Sequence, residues 1–216
     1  EKNMSNIELK AIKDLVGMNF FIPNYQRGYR WTCQQVKDLL DDIKEFMENN
    51  STNIYCIQPL VVKRAPIREG LLDQIKLAKS VDDVRRLINT SDTWEVIDGQ
   101  QRLTTIYIIL KYLQHEELYT LEYKTRKDSW VYLNKDIVSY NSGDTTTNID
   151  FYHMGEAYCV VKEWKFAHNV DCQKFLQTLL DRVKFIWYEV DEAQNPKEIF
   201  QRLNLGKISL TNSELI

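Results

Sequence analysis

In WEVIDGQQRLTT, residues 94–105, a β-strand pattern gives way to a helical pattern across a single glycine, Gly99. Trp94, Val96 and Ile97 are aromatic or β-branched residues, which favour a strand. Apolar residues then recur up to Leu113 at a spacing that predicts a mostly buried helix. The segment therefore predicts a strand, a glycine turn and a helix, in that order.

The turn in this segment has the properties of a phosphate-binding site. A helix N-terminus presents N–H groups without intrahelical acceptors at the positive end of the helix dipole. Gly99 lets the backbone approach an anion closely, and the guanidinium group of Arg102 suits phosphate oxygens. Asp98 can hold a magnesium ion or polarise a water molecule, while Gln100 and Gln101 can position that water or read a base. The spacing alone fits equally well a structural role, in which Asp98 caps the helix.

Two other segments contain candidate ligand-binding residues. The first, IPNYQRGYRW at residues 22–31, interleaves two arginines with large aromatic residues that can stack on a base or sugar. It fits equally an aromatic plug over the core. The second, residues 199–211, predicts a helix ending in a glycine turn that carries Asn204 and Lys207. Lys207 is a candidate phosphate contact, and its segment also fits an ordinary helix C-terminus.

The remaining patterns predict an α+β protein. A helix is predicted for residues 7–16, followed by an irregular segment at 20–31 and a helix capped by Thr32. Short helices are predicted between residues 65 and 91. Strands are predicted at Ile54–Val62 and Phe185–Val190, and helices at Phe151–Phe166 and from Asp171 to Leu180. We expect an α+β core at residues 1–140 and a mainly helical region with a returning strand at 141–216.

Composition excludes several classes of protein. The chain has 216 residues, 44% of them hydrophobic, with few glycines and prolines, which predicts an ordered globular protein. A net charge of −3 argues against coating of nucleic acid by bulk electrostatics. The four cysteines form no CxxC pair, and no secretory leader or membrane-length apolar run is present, so we expect reduced thiols in a cytoplasmic protein. The last residues predict the start of another helix, so we expect the chain to be truncated.

The three segments IPNYQRGYRW, DGQQRLTT and FQRLNLGKISLTNSELI, in this order, resemble the N-terminal domain family of GmrSD-type modification-dependent restriction enzymes. Tyr123-x-x-Arg126 and the helix at 151–164 extend the resemblance over almost the whole chain. It implies a small mixed ParB/sulfiredoxin-like sheet with surrounding helices. It also implies that DGQQR binds and helps to hydrolyse a nucleoside triphosphate with a divalent metal, Mg²⁺. Relatives couple this domain to a C-terminal HNH-type nuclease acting on modified phage DNA, and the scattered histidines provide no HNH cluster here.

Site residues follow from the resemblance together with the residue chemistry above. Asp98, Gln100 and Arg102 are assigned catalytic roles, with Asp98 as the metal ligand. The nucleotide-binding set is Tyr25, Gln26, Arg27, Gly99, Gln101, Thr104, Asn204 and Lys207. Leu205 departs from many relatives, which have a small polar residue after the asparagine, and this weakens any inference about specificity at that turn.

Three functions from different classes remain open. The first is a nucleoside triphosphatase that gates an effector nuclease. The second is a nucleotide sensor without turnover, or a module that reads modified DNA through Arg27, Arg30 and Trp31. The third is a ParB-like nuclease using Asp98, which the single carboxylate of the motif disfavours. A sulfiredoxin-like reductase is disfavoured further, because Gln100 and Gln101 stand where that chemistry needs a reactive cysteine.

Overall fold

The structure is a computed structural model that describes residues 6–49, 53–65, 71–84, 93–114, 119–126, 128–144, 146, 148–191, 195–198 and 201. The strands are β1 (Asn6–Ala11), β2 (Asn19–Ile22), β3 (Tyr55–Arg64), β4 (Thr93–Asp98), β5 (Thr120–Tyr123) and β6 (Val183–Glu189). The α-helices are α1 (Cys33–Glu48), α2 (Leu71–Leu77), α3 (Gln100–Gln114), α4 (Asp128–Val131), α5 (Ile149–His168) and α6 (Cys172–Asp181). Short 3-10 helices span Ile12–Leu15 and Ile137–Ser139, and a short π-helix spans Tyr132–Asp136.

The six strands form one mixed sheet in the order β1-β6-β3-β4-β2-β5. Strand β2 is parallel to β4 and to β5, and β3 is parallel to β6. The pairs β1–β6 and β3–β4 are antiparallel. A mixed sheet with surrounding helices confirms the predicted α+β class. The carboxyl ends of β2, β4 and β5 consequently lie at one edge of the sheet.

The hydrophobic core lies between one face of the sheet and the helices. Apolar side chains of the strands, such as Phe20, Val96 and Trp187, pack in one buried cluster with residues of α1, α3, α5 and α6. A second, small cluster of Val61, Ile97 and Val190 is separate from it. Side chains alternate between the two faces along a strand, so Val96 and Ile97 join different clusters. The large cluster fixes the helices against the strands that end at the common edge.

The predicted first helix at residues 7–16 is wrong. Residues Asn6–Ala11 form β1, which pairs with β6, and only Ile12–Leu15 make a single turn of 3-10 helix. Ile7 and Leu9 point to the same face of the strand and are 64% and 45% exposed. The helical spacing that continued into Ile12 and Leu15 concealed this alternation, and pairing with a distant strand overrides local propensity. Two of the other strands, β2 and β5, have only four residues each and were not predicted.

Most other predicted elements are confirmed. Thr32 and Gln35 form the predicted capping box at α1, with hydrogen bonds of 3.3 Å and 2.9 Å between each side chain and the other residue's N–H. Asp171 caps α6 through the N–H groups of residues 173 and 174. Helix α5 extends the predicted 151–166 helix at both ends.

In the described part of the chain, every helix is either too short or too polar to cross a lipid bilayer. The cysteines Cys33, Cys56, Cys159 and Cys172 are all free thiols.

Candidate functional site

Three loops converge at the carboxyl ends of the parallel strands β2, β4 and β5. They are residues 23–31, residues 98–102 with the first turn of α3, and residues 124–126. In open sheets with parallel strands, ligands bind in the crevice outside this edge. Two of the three loops carry the motifs singled out in the sequence, so the fold brings separate candidate segments to one place.

The turn between β4 and α3 requires glycine for two reasons. Gly99 has a φ of +98°, a conformation that other residues adopt only with strain. A Cβ atom at this position would also lie 2.9 Å from Leu60 Cδ1 and 3.1 Å from the carbonyl oxygen of Pro59. The turn therefore presses against β3, and the N–H of Leu103 donates to Gly99 O at 3.0 Å to start α3.

Asp98 and Arg102 face each other across this turn. Arg102 Nη2 lies 3.6 Å from Asp98 Oδ2, and the guanidinium group also donates to Gln58 Oε1 at 2.8 Å and to Pro59 O at 2.7 Å. Burial lowers the pKa of Arg102, and the charge of Asp98 opposes this shift. Arg102 Nε is buried and has no hydrogen-bond partner among the described residues. One donor of this arginine is thus unsatisfied in the described part of the chain.

The two glutamines of the motif join α3 to the loop that follows β2. Gln100 Nε2 donates to Arg27 O at 2.8 Å, and Gln101 Nε2 donates to Gly28 O at 2.9 Å. Gln101 Oε1 accepts from the N–H of Arg30 at 2.8 Å. These bonds use both polar atoms of the Gln101 amide. Gln100 Oε1, in contrast, is buried without a partner in the described part of the chain.

The predicted residues Tyr25, Gln26 and Arg27 lie beside β4. Gln26 is 4% exposed, and its Nε2 donates to Val96 O and, at 3.0 Å, to Ile97 O. Tyr25 Oη donates to Glu95 Oε1 at 2.9 Å, and burial followed by the charge of Glu95 raises the pKa of Tyr25. Arg27 is exposed. Gln26 and Tyr25 hold the loop in place, whereas the side chain of Arg27 is accessible to a ligand.

Thr104 lies behind the turn rather than on its open side. Its side chain is fully buried, donates from Oγ1 to Gln100 O at 2.8 Å and shares a second bond of 2.8 Å with Tyr123 Oη. Burial raises the pKa of Tyr123, which keeps its hydroxyl protonated. Thr104 therefore connects the first turn of α3 to the end of β5.

The structure adds a group that sequence reasoning missed: Asp150, in the first turn of α5. Its carboxylate, 3% exposed, pairs with Arg30 Nη1 and, at 2.5 Å, with Arg126 Nε. A Cβ atom on Gly28 would lie 2.5 Å from Asp150 Cγ, so this glycine is needed for space. Asn148, which caps α5, is a residue type that indicates the start of a helix in the sequence. Nothing local in the sequence connects Asp150 with arginines from two distant loops.

The structure thus brings together all predicted site residues of the first two motifs. Asn204 and Lys207, from the third motif, lie outside the described residues, as does Gly206. Among the described residues no group of three or more histidine, cysteine or acidic side chains is arranged to hold a metal ion. Asp98 is the acidic side chain at the turn itself.

The family model of the GmrSD restriction endonuclease N-terminal domain matches residues 9–216. No curated protein matches the chain. The family match includes the loop after β2, the glycine turn and α5.

Proposed function

The chain belongs to the family of GmrSD restriction endonuclease N-terminal domains, and on this basis we propose that it binds and hydrolyses a nucleoside triphosphate at the Asp98–Arg102 turn. Hydrolysis would regulate an effector nuclease that cuts modified phage DNA. The observation that carries the proposal is a pair of buried, unpartnered atoms on the first turn of α3, the acceptor Gln100 Oε1 and the donor Arg102 Nε. Buried polar atoms are normally satisfied, so two unsatisfied ones on the same helical turn are candidates for contact with a ligand or water.

Phosphate oxygens would bind at the amino end of α3. The first N–H groups of a helix have no intrahelical acceptor, and the positive φ of Gly99 forms the turn that leads into this helix end. Arg102 Nε adds a charged donor that is already oriented by Gln58 and Pro59. A charge-assisted hydrogen bond of this kind contributes about 1.5–3 kcal/mol.

The same turn suits a magnesium ion that arrives with the nucleotide. Mg²⁺ is usually held by one or two carboxylates together with substrate phosphates and water, rather than by a complete protein cage. Asp98, with a side chain 17% exposed, provides one carboxylate beside the helix N-terminus. The ion would neutralise phosphate charge and lower the pKa of a bound water.

Gln100 would orient the attacking water. Its Nε2 is fixed by the bond to Arg27 O, which leaves Oε1 in a defined position with an unused lone pair. An acceptor at that position can take one hydrogen of a water molecule and direct an oxygen lone pair toward phosphorus. Gln101 would hold the loop after β2 in position, because both polar atoms of its amide are bonded to backbone groups of that loop.

A nucleotide sensor without turnover is the second candidate. It is favoured by one observation: the amide nitrogens of Gln26, Gln100 and Gln101 are all committed to main-chain acceptors. A turn stabilised in this way can bind a nucleotide without assisting the chemistry. Product formation, rather than binding, distinguishes the two functions.

The test measures phosphate release from each of the four nucleoside triphosphates with magnesium, together with calorimetric binding. Asp98→Ala and Gln100→Ala should lower turnover by about 100-fold or more, while Gln100→Ala retains nucleotide binding. Gln177→Ala, on the exposed side of α6, is the matched control and should behave like the original protein. Binding without phosphate release would favour the sensor, and absence of binding would refute both candidates.

A further inference from the structure

A second cluster of basic side chains lies at the same edge of the sheet, on the side of β5. Arg30 and Arg126 both pair with the carboxylate of Asp150, whose side chain is 3% exposed. Two guanidinium charges therefore face one carboxylate charge, which leaves a surplus of one positive charge in a partly buried place.

The two arginines also have unused hydrogen-bond donors. Arg30 uses Nη1 for Tyr29 O and Asp150, and Arg126 uses Nε for Asp150 and Nη1 for Thr125 Oγ1. Their Nη2 groups donate to no acceptor among the described residues. The side chains are 27% and 32% exposed, so a ligand can reach them from solvent.

The position of this pair relates it to the glycine turn. The N–H of Arg30 donates to Gln101 Oε1, so the backbone of Arg30 touches the first turn of α3. Arg102 lies on the other side of that turn, against Gln58 and Pro59 at β3. Strands β3 and β5 are three places apart in the sheet, about 14 Å. The two basic groups would therefore contact different parts of one elongated anion.

The neighbouring histidine is consistent with a surplus of positive charge. Burial lowers the pKa of His153, the charge of Arg30 lowers it further, and Asp150 acts in the opposite direction. The positive charge of Arg30 is thus only partly compensated at the position of His153.

We propose that Arg30 and Arg126, positioned by Asp150, bind a phosphate group of the nucleoside triphosphate that its monophosphate lacks, the β- or γ-phosphate. This inference rests on the proposed function for its ligand, since free inorganic phosphate or pyrophosphate offers the same chemistry. Guanidinium groups bind phosphate through paired, charge-assisted hydrogen bonds, and the buried carboxylate holds both forks in place.

The test is calorimetric titration of the purified chain with three ligands: the best-binding nucleoside triphosphate, its monophosphate and inorganic pyrophosphate. Arg126→Gln should weaken triphosphate binding about ten-fold and leave monophosphate binding unchanged. Arg126→Lys should lie between Arg126→Gln and the original protein, because lysine keeps the charge but lacks the fork. Arg182→Gln is the control. Arg182 immediately precedes β6, which is four places from β5 in the order of the sheet, and its guanidinium group donates to Asn53 O. If Arg126→Gln fails to fold, Arg126→Lys carries the comparison.

The outcomes separate this inference from the proposed function. Unchanged triphosphate affinity in Arg126→Gln and Arg126→Lys would overturn the inference and leave the proposed function standing. An equal loss of monophosphate affinity would also overturn it, because it would show an effect through the fold. Pyrophosphate binding that depends on Arg126, without binding of any nucleotide, would support the anion site and refute the nucleotide function. If the original protein binds none of the three ligands, both proposals fail.

Discussion

Gln101 Oε1 accepts a hydrogen bond of 2.8 Å from the backbone N–H of Arg30. The same side chain donates through Nε2 to Gly28 O at 2.9 Å. One amide thus satisfies a donor and an acceptor of a loop that lies 71 to 73 positions earlier in the chain. The DGQQR turn and the YQRGYRW loop are therefore parts of one site, and the shape of each depends on the other.

Replacing Gln101 with glutamate should destabilise the protein by about 1–3 kcal/mol. The carboxylate keeps the acceptor for Arg30 N but places an oxygen against Gly28 O, where the amide donated. Denaturant unfolding monitored by circular dichroism measures the change. Gln177→Glu, the same substitution on an exposed face of α6, should change stability by less than about 0.5 kcal/mol. Equal stabilities for the two variants would show that the amide bonds contribute nothing.

Gly99→Ala should lower both stability and nucleotide binding. The positive φ costs about 1 kcal/mol for alanine, and the overlap with Leu60 Cδ1 and Pro59 O adds to that cost. Gly143→Ala is the matched control, because Gly143 has a φ of +86° with nothing within 4 Å of the added Cβ. Thermal unfolding of both variants gives the steric contribution by difference. A similar loss of stability in the two variants would mean that β3 yields to the methyl group at no cost.

Asp150→Asn should destabilise the protein by about 3 kcal/mol, because it leaves two guanidinium groups without their counter-charge. This figure is at the low end for a broken buried pair, since both arginines keep contact with water. Asp181→Asn, which breaks the exposed pair with Lys13, should cost no more than about 1 kcal/mol. Urea titration at low and at high salt distinguishes the two, because salt should weaken the exposed pair much more than the network around the buried Asp150. A cost for Asp150→Asn no greater than that for Asp181→Asn would contradict the buried network.

Arg30→Gln should raise the pKa of His153. Burial is the larger cause of the lowered pKa, so the shift should be partial, and the positive charge of Arg30 is the next cause. Removal of that charge also leaves the carboxylate of Asp150 with one cation fewer, which favours the protonated imidazole. Titration of the histidine resonances by NMR measures the change, and His168 at the far end of α5 is the internal reference. A pKa of His153 that stays the same or falls would show that Arg30 does not act on it.

The local chemistry of the turn was predictable from the sequence. A strand pattern, a glycine and a buried helix follow one another within residues 94–114, so short-range rules place Asp98 and Arg102 correctly. The capping residues Thr32 and Asp171 were identified for the same reason, since a cap acts on the next three residues.

The partners of the turn were not predictable, because they depend on the order of the strands. Arg30 and Asp150 are 120 positions apart and meet only when β2, β5 and α5 are assembled. The N-terminal strand β1 escaped detection for a related reason. Its pairing partner β6 is almost the whole chain away, and the spacing of apolar residues within residues 6–16 does not indicate that pairing.

The placement of β6 affects how the protein is made. Within the described sheet β1 pairs only with β6, in a register that joins Asn6 to Glu189. A ribosome adding about 5–20 residues per second needs roughly 10–40 s between these two positions. During that time the backbone N–H and C=O groups of residues 6–11 lack the strand partner that they have in the sheet, and neighbouring nascent chains can pair with such a segment. The speed at which the second half of the message is translated should therefore influence the yield of soluble protein.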